Sequence, residues 1–529
     1  MAGLVASYVS PRVIKSSKLT LILFFGLIVF FTNLYFLKFW PATKGLPKIN
    51  WNENEQDKWT IPVRTGLVEA SPSERRKKTT EYPPKKTFAS EFATKGTSKL
   101  IWKNKKQVKT TISQSDNHLK IARSLNFKAV LQKIKTRSCA HRISVMDGGI
   151  VLFRNITIRS KLGSARVLGT SLEQPAAEDE FFNLEKGFFT LYCVGNVKDA
   201  KERLHSAEGH HALSKWITAF EAANPSISAL LGMKQSFHAG QYLAIQRFEY
   251  ANVYWTIIDL LDIFITTQRL GIEPEKLNIV LMDAHPPSSL DPFWSVLFQK
   301  LIKLGTDDIF KKSNNVMFEN LVWRYPRVKC PLLDRRQVTP NLIQPFRSFV
   351  LKRFGIPSGP RLRDCGQKKL NVLVTFRRDY KNHPRNLKGI IDRKIANEKD
   401  VVDEMENGFP NLNITAAQLD SLPLKRQVEL VSSADIFFGM HGAAHAFPIF
   451  MAPGGAVIEM FNFQSNNWHM KRISTLSGHF HITWINRDVK AYNKTTRSTT
   501  IPAGIPSRLL RKAIQDICAQ KFNIKKDKP

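Results

Sequence analysis

The most apolar stretch of the chain lies close to its N-terminus. Residues 19–37 read LTLILFFGLIVFFTNLYFL and include no charged side chain. At about 1.5 Å per residue, a helix of this length spans roughly 28 Å, close to the thickness of a membrane's hydrocarbon core. The bulky residues that follow, 38–41 (KFWP), are unlike the small residues that a signal peptidase requires. The pattern predicts an uncleaved, single-pass signal anchor.

Basic residues flank this apolar run on both sides in equal number, so flanking charge does not decide its orientation. A long C-terminal region is translocated largely regardless of such charges. The Asn-x-Thr sequons at Asn155, Asn413 and Asn493 all follow the run and are candidate glycosylation sites. We therefore expect a type II membrane protein with a cytosolic tail at 1–18. Because a short span favours the thinner early secretory membranes, we expect the Golgi membrane, with the endoplasmic reticulum as the alternative.

Behind the anchor, the pattern separates a polar stretch from two α/β regions. Residues 38–120 are rich in Lys, Thr, Ser, Glu and Pro and bury too little apolar surface to fold, which predicts a flexible basic stem. Beyond it, short apolar runs alternate with helical patterns, as in α/β proteins with parallel sheets. We expect two Rossmann-like domains with a cleft between them, at 121–358 and 359–505. A closing helix and tail follow at 506–529.

Individual elements can be predicted within these two domains. In the first, a long helix over 251–269 leads to a buried strand at 278–283. The second contains predicted strands at 370–376, 435–439, 456–461 and 481–485, an amphipathic helix at 424–433 and a last helix at 508–521.

Composition narrows the class of partner. The 529 residues include 79 Lys+Arg against 44 Asp+Glu, and the formal net charge of +35 fits either nucleic acid or an anionic surface. The predicted anchor and sequons place the bulk of the chain in the secretory pathway, so we expect no nucleic-acid partner. Five cysteines form at most two disulfides and leave one thiol, and the sequence leaves their pairing open.

No metal site is expected. Asp283-Ala284-His285 at a strand end resembles the placement of a metal-binding Asp-x-Asp motif, but the second acid is missing. The histidine pairs, His210 with His211 and His479 with His481, have no matching cysteine or acid cluster.

Two segments of the second predicted domain are suited to bind a diphosphate. The strand from Asp435 runs into His441-Gly442, where small residues can open a helix whose free N–H groups receive a phosphate. The alternative is an ordinary turn in which His441 is structural. The strand at 370–376 runs into Arg377 and Arg378, whose guanidinium groups match a diphosphate in place of a metal. The alternative is that one of these arginines only pairs with a nearby carboxylate.

Two carboxylates are further candidates. Glu459, in the strand at 456–461, either accepts the hydroxyls of a ribose or is a surface acid on an edge strand. Asn252 and Asp259 share one face of the helix over 251–269. Because the neighbours of Asp259 are apolar, its carboxylate must be paired or functional. It is either a general base that activates a sugar hydroxyl or the partner of a basic residue on another element.

From about residue 248 to 488, these segments resemble the family 61 glycosyltransferases. Residues 249–254 (EYANVY), with Thr256 and Asp259, are similar to a block of the plant-type core β-1,2-xylosyltransferases. A second block of that branch is similar to 372–378, Tyr380, His383-Pro384-Arg385 and 397–399. Residues 435–443 (DIFFGMHGA) are similar to a segment of the EGF-domain-specific O-GlcNAc transferases that is shared in outline across the family.

The resemblance implies an inverting GT-B enzyme that uses a UDP-sugar, UDP-xylose or UDP-GlcNAc, and requires no cofactor or metal. It implies transfer to an N-glycan or glycoprotein acceptor, first of all of xylose to the core β-mannose of N-glycans. The alternative is protein O-linked N-acetylglucosaminyl transfer to a folded domain. The oligomeric state is left open. The roles implied for individual residues are diphosphate binding by Arg377, Arg378, His441 and Gly442, ribose binding by Glu459, substrate binding by Asn252 and base catalysis by Asp259.

Two departures from the family pattern bear on catalysis, on acceptor choice and on the contacts with the donor phosphates. Trp255 stands where the family has a histidine, and His445 is shifted by two positions from the family's second histidine. A catalytically inactive, glycan-binding luminal protein is therefore a further alternative.

Overall fold

The computed structural model of the protein describes residues 138–166, 181–194, 197–224, 236–324, 330–333, 340–359, 363, 365, 369–380, 388–463 and 468–524. All of them belong to the structural unit Gly96–Pro529. Within these ranges, no helix has the length and apolarity needed to cross a membrane. The predicted tail, anchor and stem, at 1–18, 19–37 and 38–120, lie outside the described residues.

The first half of the described chain is built around an eight-stranded sheet. The strands of this half, including β3 and β4 of a separate small sheet, are β1 (Ile143–Met146), β2 (Ile150–Arg159), β3 (Gly163–Arg166), β4 (Phe181–Leu184), β5 (Phe189–Tyr192), β6 (Phe220–Ala223), β7 (Phe237–Ile245), β8 (Asn278–Leu281), β9 (Lys300–Lys303) and β10 (Asn315–Arg324). The order in the large sheet is β6-β5-β2-β10-β7-β8-β9, and β1 pairs with β2.

This first sheet is mixed, which corrects the prediction of a parallel sheet. Strands β7 to β10 run parallel to one another, but β2 is antiparallel to β1, β5 and β10. Strand β2 is buried along most of its length. A strand covered on both faces has the same continuous apolar pattern in either direction, so the sequence could not reveal its direction.

The second half contains a five-stranded sheet in which every pair is parallel, as predicted. The strands are β11 (Asn371–Thr375), β12 (Lys394–Ile395), β13 (Asn413–Ala417), β14 (Ile436–Met440), β15 (Ala456–Phe461), β16 (Phe480–Ile485), β17 (Tyr492–Asn493) and β18 (Ser498–Thr499). The large sheet has the order β13-β11-β14-β15-β16, and β12, β18 and β17 form a small sheet.

Helices connect and cover the two sheets. They are α1 (Val197–His205), α2 (Ser214–Thr218), α3 (Val253–Leu270), α4 (Asp291–Leu297), α5 (Asp308–Lys312), α6 (Pro340–Arg353), α7 (Glu398–Gly408), α8 (Leu424–Ser433), α9 (His469–Leu476) and α10 (Ile505–Ile524). A 3₁₀ helix at Ala443–Phe450 follows β14 directly.

The elements predicted from periodicity are present at nearly the expected positions. Helix α8 and strand β15 have the predicted bounds, and α10 extends beyond the predicted 508–521 at both ends. Helix α3 begins two residues later than predicted because Asn252 is its N-cap, whose Oδ1 accepts a hydrogen bond from the Tyr254 amide at 3.0 Å. Gly271, at a φ of 62°, ends the helix.

One hydrophobic core is shared by the two halves. It joins α3 residues such as Ile257 and Leu261 to Phe437 of β14, Val457 of β15 and Phe447 of the 3₁₀ helix. Two further clusters lie within the first and the second half respectively. The two halves therefore pack against each other through continuous apolar contacts.

Two disulfides are present, Cys139–Cys193 and Cys365–Cys518, and Cys330 is a buried free thiol. This arrangement agrees with the predicted two bridges and one thiol and supplies the pairing that the sequence left open. We expect protein that is denatured without reductant to take up one equivalent of a thiol reagent, on Cys330, and the native protein to take up none. Peptide mass analysis measures the uptake, and labelling of a second cysteine would contradict the pairing.

Candidate functional site

A cleft of about 350 Å³ lies where the carboxyl ends of parallel strands from both sheets come together. Its first side consists of segments that follow β7 and β8, and its second side of segments that follow β11 and β14. The lining residues include Glu249, Tyr250, Asn252, Ser288, Thr375, Arg377, Tyr380, Arg393, Asp420, Met440, Ala443 and Ala444. Crevices at the carboxyl ends of parallel strands are where α/β proteins bind ligands, so this cleft is the candidate site.

Arg377 is the predicted diphosphate ligand that the structure places in the cleft. Its Nε donates a hydrogen bond to the Asp392 carbonyl oxygen at 2.9 Å, which orients the guanidinium. Burial, reinforced by the neighbouring charge of Arg393, lowers the pKa of Arg377 to about 10. Because burial disfavours the charged form of Arg377, an anion that enters the cleft would stabilise this guanidinium.

Arg393 is a second cleft arginine, and sequence reasoning missed it. Its backbone has a φ of 62°, just before β12, and burial lowers its pKa as well. In the described part of the chain, neither Arg377 nor Arg393 forms an ion pair, whereas Arg247 and Arg378 do. The cleft therefore holds two guanidinium groups, besides the carboxylates of Glu249 and Asp420, and a bound anion would interact favourably with both guanidinium groups.

Arg378 is placed differently from Arg377. Its side chain is 56% exposed and forms an ion pair with Glu398, with an Nη2–Oε2 distance of 2.5 Å. It is not among the described residues that line the cleft. This corresponds to the alternative interpretation in which one arginine of the pair meets a nearby carboxylate.

Gly442 lies against the Arg377 guanidinium. A Cβ at this position would overlap Nη1 of Arg377, so the close approach depends on the missing side chain. The contact follows from strand pairing, because Thr375 at the end of β11 is in register with Gly439 of β14. The 3₁₀ helix begins at Ala443, and its first residues line the cleft beside Arg377.

His441 and Glu459 belong to a buried network beside this turn. Glu459 is fully buried and accepts hydrogen bonds from His441 Nδ1 at 2.5 Å and from His481 Nε2 at 2.9 Å. Burial alone would raise the pKa of Glu459, but the two histidine hydrogen bonds outweigh it and lower the pKa to about 2. The His441 ring also stacks on Phe461, with centroids 4.8 Å apart. The structure thus brings Glu459 to His441, and its predicted role in ribose binding stays a prediction.

Acid should destabilise the protein through two other buried histidines. Burial lowers the pKa of His445 and of His479 to about 4, against an ordinary value of 6.5 in the unfolded chain. As the pH falls, the unfolded state therefore binds protons first. The contribution of each neutral ring to the free energy of unfolding is fully present above about pH 6.5. It decreases as the pH falls from about 6.5 to about 4, by at most about 3 kcal/mol for each ring. Thermal unfolding between about pH 7 and pH 5 measures this loss.

The control for this prediction is His479→Gln, which removes one of the two titrating rings. We expect this variant to be less stable at neutral pH, because the ring packs in the core and Nε2 meets the Pro448 carbonyl oxygen at 2.9 Å. Its stability should nevertheless fall less steeply with acid. A slope equal to that of the wild type would show that His479 is not responsible.

Asn252 and Asp259 are separated by the structure. Asn252 caps α3 and lines the cleft, whereas Asp259 is 1% exposed and is not among the described lining residues. Burial, and then the charges of Asp262 and Asp259, raise the pKa of the Cys330 thiol. Asp259 thus lies near Cys330 in the body of the first half, and base catalysis by Asp259 stays a prediction.

Trp255 packs beside the Phe248 ring, with centroids 4.7 Å apart, and against the shared core. His445 is fully buried, and its Nε2 lies 3.4 Å from the Ile458 carbonyl oxygen. Neither of these departures from the family pattern is among the described lining residues. The motif His383-Pro384-Arg385 lies outside the described residues.

The carboxylate of Asp283, in the segment that resembles a metal-binding motif, forms a buried ion pair with Arg247. It accepts hydrogen bonds from Arg247 Nη2 at 2.8 Å and from Arg247 Nε at 3.0 Å, and both side chains are buried. In the described ranges, no group of three or more histidine, cysteine or acidic side chains is arranged to hold a metal ion. The Arg247–Asp283 pair instead anchors the segment after β7.

Comparison with known proteins shows that this chain is similar to glycosyltransferases. Residues 265–458 match the family model Glycosyltransferase 61, and this confirms the resemblance predicted from the motifs. The matched range includes Arg377, Arg393 and Gly442 on the second side of the cleft.

The relatives include enzymes of two kinds. Beta-1,2-xylosyltransferase RCN11 of Oryza sativa subsp. japonica is 26% identical over 255 residues, which are 44% of this chain and 46% of the relative. The beta-1,2-xylosyltransferase of Arabidopsis thaliana is 22% identical over 276 residues, 45% of this chain and 50% of the relative. The EGF domain-specific O-linked N-acetylglucosamine transferase of Gallus gallus is 25% identical over 251 residues, 45% of this chain and 43% of the relative. The chain spans about half the length of the curated relatives it matches.

Among solved structures, the dodecameric iron-containing heptosyltransferase TibC in complex with ADP-D-beta-D-heptose was found at 9% identity. The match covers 54% of this chain and 78% of that chain, with a TM-score of 0.22. A score this low supports no conclusion about this protein.

Proposed function

We propose that the protein is an inverting glycosyltransferase that binds the diphosphate of a UDP-sugar in the cleft and transfers the sugar to a glycan or glycoprotein. The observation that carries this proposal is the pair Arg377 and Arg393, two partly buried guanidinium groups in one cleft beside Gly442. The match of residues 265–458 to glycosyltransferase family 61 supports it.

A diphosphate suits this site for electrostatic reasons. Two desolvated guanidinium groups repel each other, and a bound anion replaces the repulsion with charge-assisted hydrogen bonds. The start of the 3₁₀ helix at Ala443 adds backbone N–H groups. In the transition state the leaving diphosphate gains negative charge, so the same groups would also lower the barrier to transfer.

We also propose the GT-B arrangement, with the donor on the second half and the acceptor on the first. Its support is that the arginines follow β11 or precede β12, whereas Glu249, Tyr250 and Asn252 of the other side follow β7. In this proposal the guanidinium groups provide the counter-charge that a divalent cation provides in other transferases. Chelator should then leave transfer unchanged.

For the donor and acceptor we propose xylose from UDP-xylose and the core β-mannose of N-glycans. The support is the similarity to the two beta-1,2-xylosyltransferases, together with the EYAN block that reaches the cleft at Asn252. The second candidate is O-linked N-acetylglucosaminyl transfer from UDP-GlcNAc to a folded protein domain. It is favoured by a relative of that kind that matches an equal share of this chain.

An inactive, glycan-binding protein is the weaker alternative. It rests on Trp255 and His445, and both side chains pack in the protein body rather than in the described cleft lining. Under this alternative, UDP-sugars would bind without any transfer.

The decisive experiment uses the full-length protein, purified in detergent. Each of UDP-xylose and UDP-GlcNAc is combined with a free N-glycan or a folded EGF-type domain, with and without chelator, and both UDP release and product mass are measured. Xylosylated glycan supports the first candidate, and a modified protein domain supports the second. Donor binding without product in any combination supports the inactive alternative. Failure to bind UDP at all would refute the proposed function.

We propose that the protein is a type II membrane protein of the Golgi with a luminal catalytic region. The sequons give a test, because Asn413 and Asn493 are exposed whereas Asn155 is 7% exposed within β2. Replacement of Asn413 or Asn493 by glutamine should each remove one glycan, seen as a shift in mass after expression in secretory cells. Resistance of the wild type to N-glycosidase, with no change of mass, would contradict a luminal location.

A further inference from the structure

Two carboxylates occur among the described residues that line the cleft, Glu249 and Asp420. They come from different halves of the protein. Glu249 follows β7 of the first sheet, whereas Asp420 lies in a 3₁₀ helix, Leu419–Ser421, that follows β13 of the second sheet. An inverting displacement requires a proton acceptor on the face of the sugar opposite to the leaving diphosphate. The two carboxylates can therefore be distinguished by the side of the cleft on which they lie.

Asp420 belongs to the side of the arginines. Burial, and then the neighbouring Asp420 carboxylate, raise the pKa of Tyr380 to about 12, so Asp420 lies beside the Tyr380 hydroxyl. The charge of Asp420 also acts on Arg377: it raises the pKa of Arg377 and so opposes the lowering caused by burial. A carboxylate in this position is committed to Tyr380 and Arg377 and is next to the proposed diphosphate.

Glu249 lies on the other side, in a segment that is held at several points. Arg247, two residues before it, is fixed by its buried pair with Asp283, and the Arg247 backbone N–H also donates to Asp283 Oδ2 at 3.0 Å. The following Tyr250 stacks on His285, with centroids 4.6 Å apart, and its carbonyl oxygen accepts a hydrogen bond from Ser288 Oγ at 3.0 Å. The segment is thus anchored on both sides of Glu249, at Arg247 and at Tyr250, which restricts where the Glu249 side chain leaves the backbone.

This placement has the features of a preorganised catalytic group. One carboxylate oxygen of Glu249, Oε1, is shielded from solvent, and the residue as a whole is half-buried at the cleft. A base held on a rigid segment loses little entropy when the substrate is bound, and this is a large part of the advantage of an enzyme. Asp259, by contrast, lies in the protein body and not in the described cleft lining.

We propose that Glu249 is the general base of the transfer reaction, an inference that rests on the proposed function. The carboxylate takes the proton of the acceptor hydroxyl as the hydroxyl oxygen forms its bond to the anomeric carbon of the donor sugar. The bond from that carbon to the diphosphate oxygen breaks, and its electron pair leaves with UDP, whose charge Arg377 and Arg393 balance. The product is a glycoside of inverted configuration, and protonated Glu249 returns its proton to water.

The test compares Glu249→Gln with the wild type in the full-length protein. The amide has the same size but cannot accept the proton, so we expect kcat to fall by about a hundredfold or more. UDP binding, measured by calorimetry, should stay within about threefold, because in this proposal Glu249 contacts the acceptor hydroxyl and not the diphosphate. Glu249→Asp, which keeps the carboxylate, should retain more activity than Glu249→Gln.

The matched control is Glu273→Gln, the same change at an exposed glutamate that pairs with Lys276 on the surface of the same half. It should behave as the wild type. A Glu249→Gln enzyme with wild-type kcat would overturn the assignment. A parallel loss of kcat, UDP binding and thermal stability would also overturn it, since the role would then be structural.

Failure of the proposed function is distinguishable from failure of this inference. A wild-type protein that neither binds UDP nor forms product refutes both. A wild-type protein that forms product while Asp259→Asn, rather than Glu249→Gln, loses kcat with intact UDP binding refutes only the assignment of Glu249.

Discussion

Replacement of both Arg377 and Arg393 by alanine should weaken UDP binding by about a thousandfold. A hydrogen bond to a charged group contributes about 2 kcal/mol, and each 1.4 kcal/mol is a factor of about ten in affinity. Each single variant should therefore lose about thirtyfold. Calorimetric titration of UDP into the full-length protein measures the loss, and kcat/KM for the UDP-sugar should fall at least as far, because charge grows on the diphosphate in the transition state.

Two further arginine variants make this result specific. Arg426→Ala removes an exposed guanidinium that pairs with Glu429 at 3.3 Å and is not among the described residues that line the cleft, so it should leave UDP affinity unchanged. Arg378→Ala decides between the two interpretations of the Arg377-Arg378 pair. A small effect fits the ion pair with Glu398, whereas a loss as large as that of Arg377→Ala would restore Arg378 as a diphosphate ligand. Unchanged UDP binding by the Arg377 and Arg393 double variant would refute the proposed anion site.

Replacement of Gly442 by alanine should weaken UDP binding by about thirtyfold, the same loss as removal of the Arg377 side chain. The added methyl group would overlap Nη1 of Arg377. Because the guanidinium is the far end of a flexible side chain, it can move aside, so the fold should be retained while the anion site is lost. Calorimetry measures the binding, and thermal unfolding should show a midpoint within a few degrees of the wild type.

Backbone strain does not enter this prediction, because Gly442 has a φ of 174°, an extended conformation that alanine adopts freely. Gly359→Ala is the matched control, since a Cβ there meets nothing within 4 Å. The variants Gly442→Ala and Arg377→Ala should also be non-additive, because both remove the same interaction. A double variant that loses the product of the two single effects would show that Gly442 acts independently of Arg377.

The sequence predicted the local elements well and the site only in part. Helix α3 and strands β11, β14 and β15 were predictable because periodicity, caps and buried runs are local signals. The turn His441-Gly442 and Arg377 could be singled out in the sequence because each directly follows a buried strand. That they meet depends on β11 and β14 being neighbours in register, and neighbour order in a parallel sheet leaves no local signal.

Arg393, Asp259 and Glu459 show the same limit. Arg393 lies before a two-residue strand with no motif around it, so only the tertiary structure places it in the cleft. Asp259 was a candidate base because it is a carboxylate among apolar residues of a helix. The same pattern fits any buried acid that is paired with another polar group in the core. The histidine partners of Glu459 also have no local signal, because they come from β16 and from the residue that follows β14.

The Cys365–Cys518 disulfide encloses every strand of the parallel five-stranded sheet. A protease that cuts the chain once between these two cysteines produces two fragments, one with each cysteine, that remain bonded to each other. On a gel without reductant the nicked protein should keep the mass of the intact chain, and only reductant should separate the pieces. Preparations that look homogeneous before reduction can therefore contain cleaved molecules, and the half that carries the arginines stays covalently continuous after its backbone is broken.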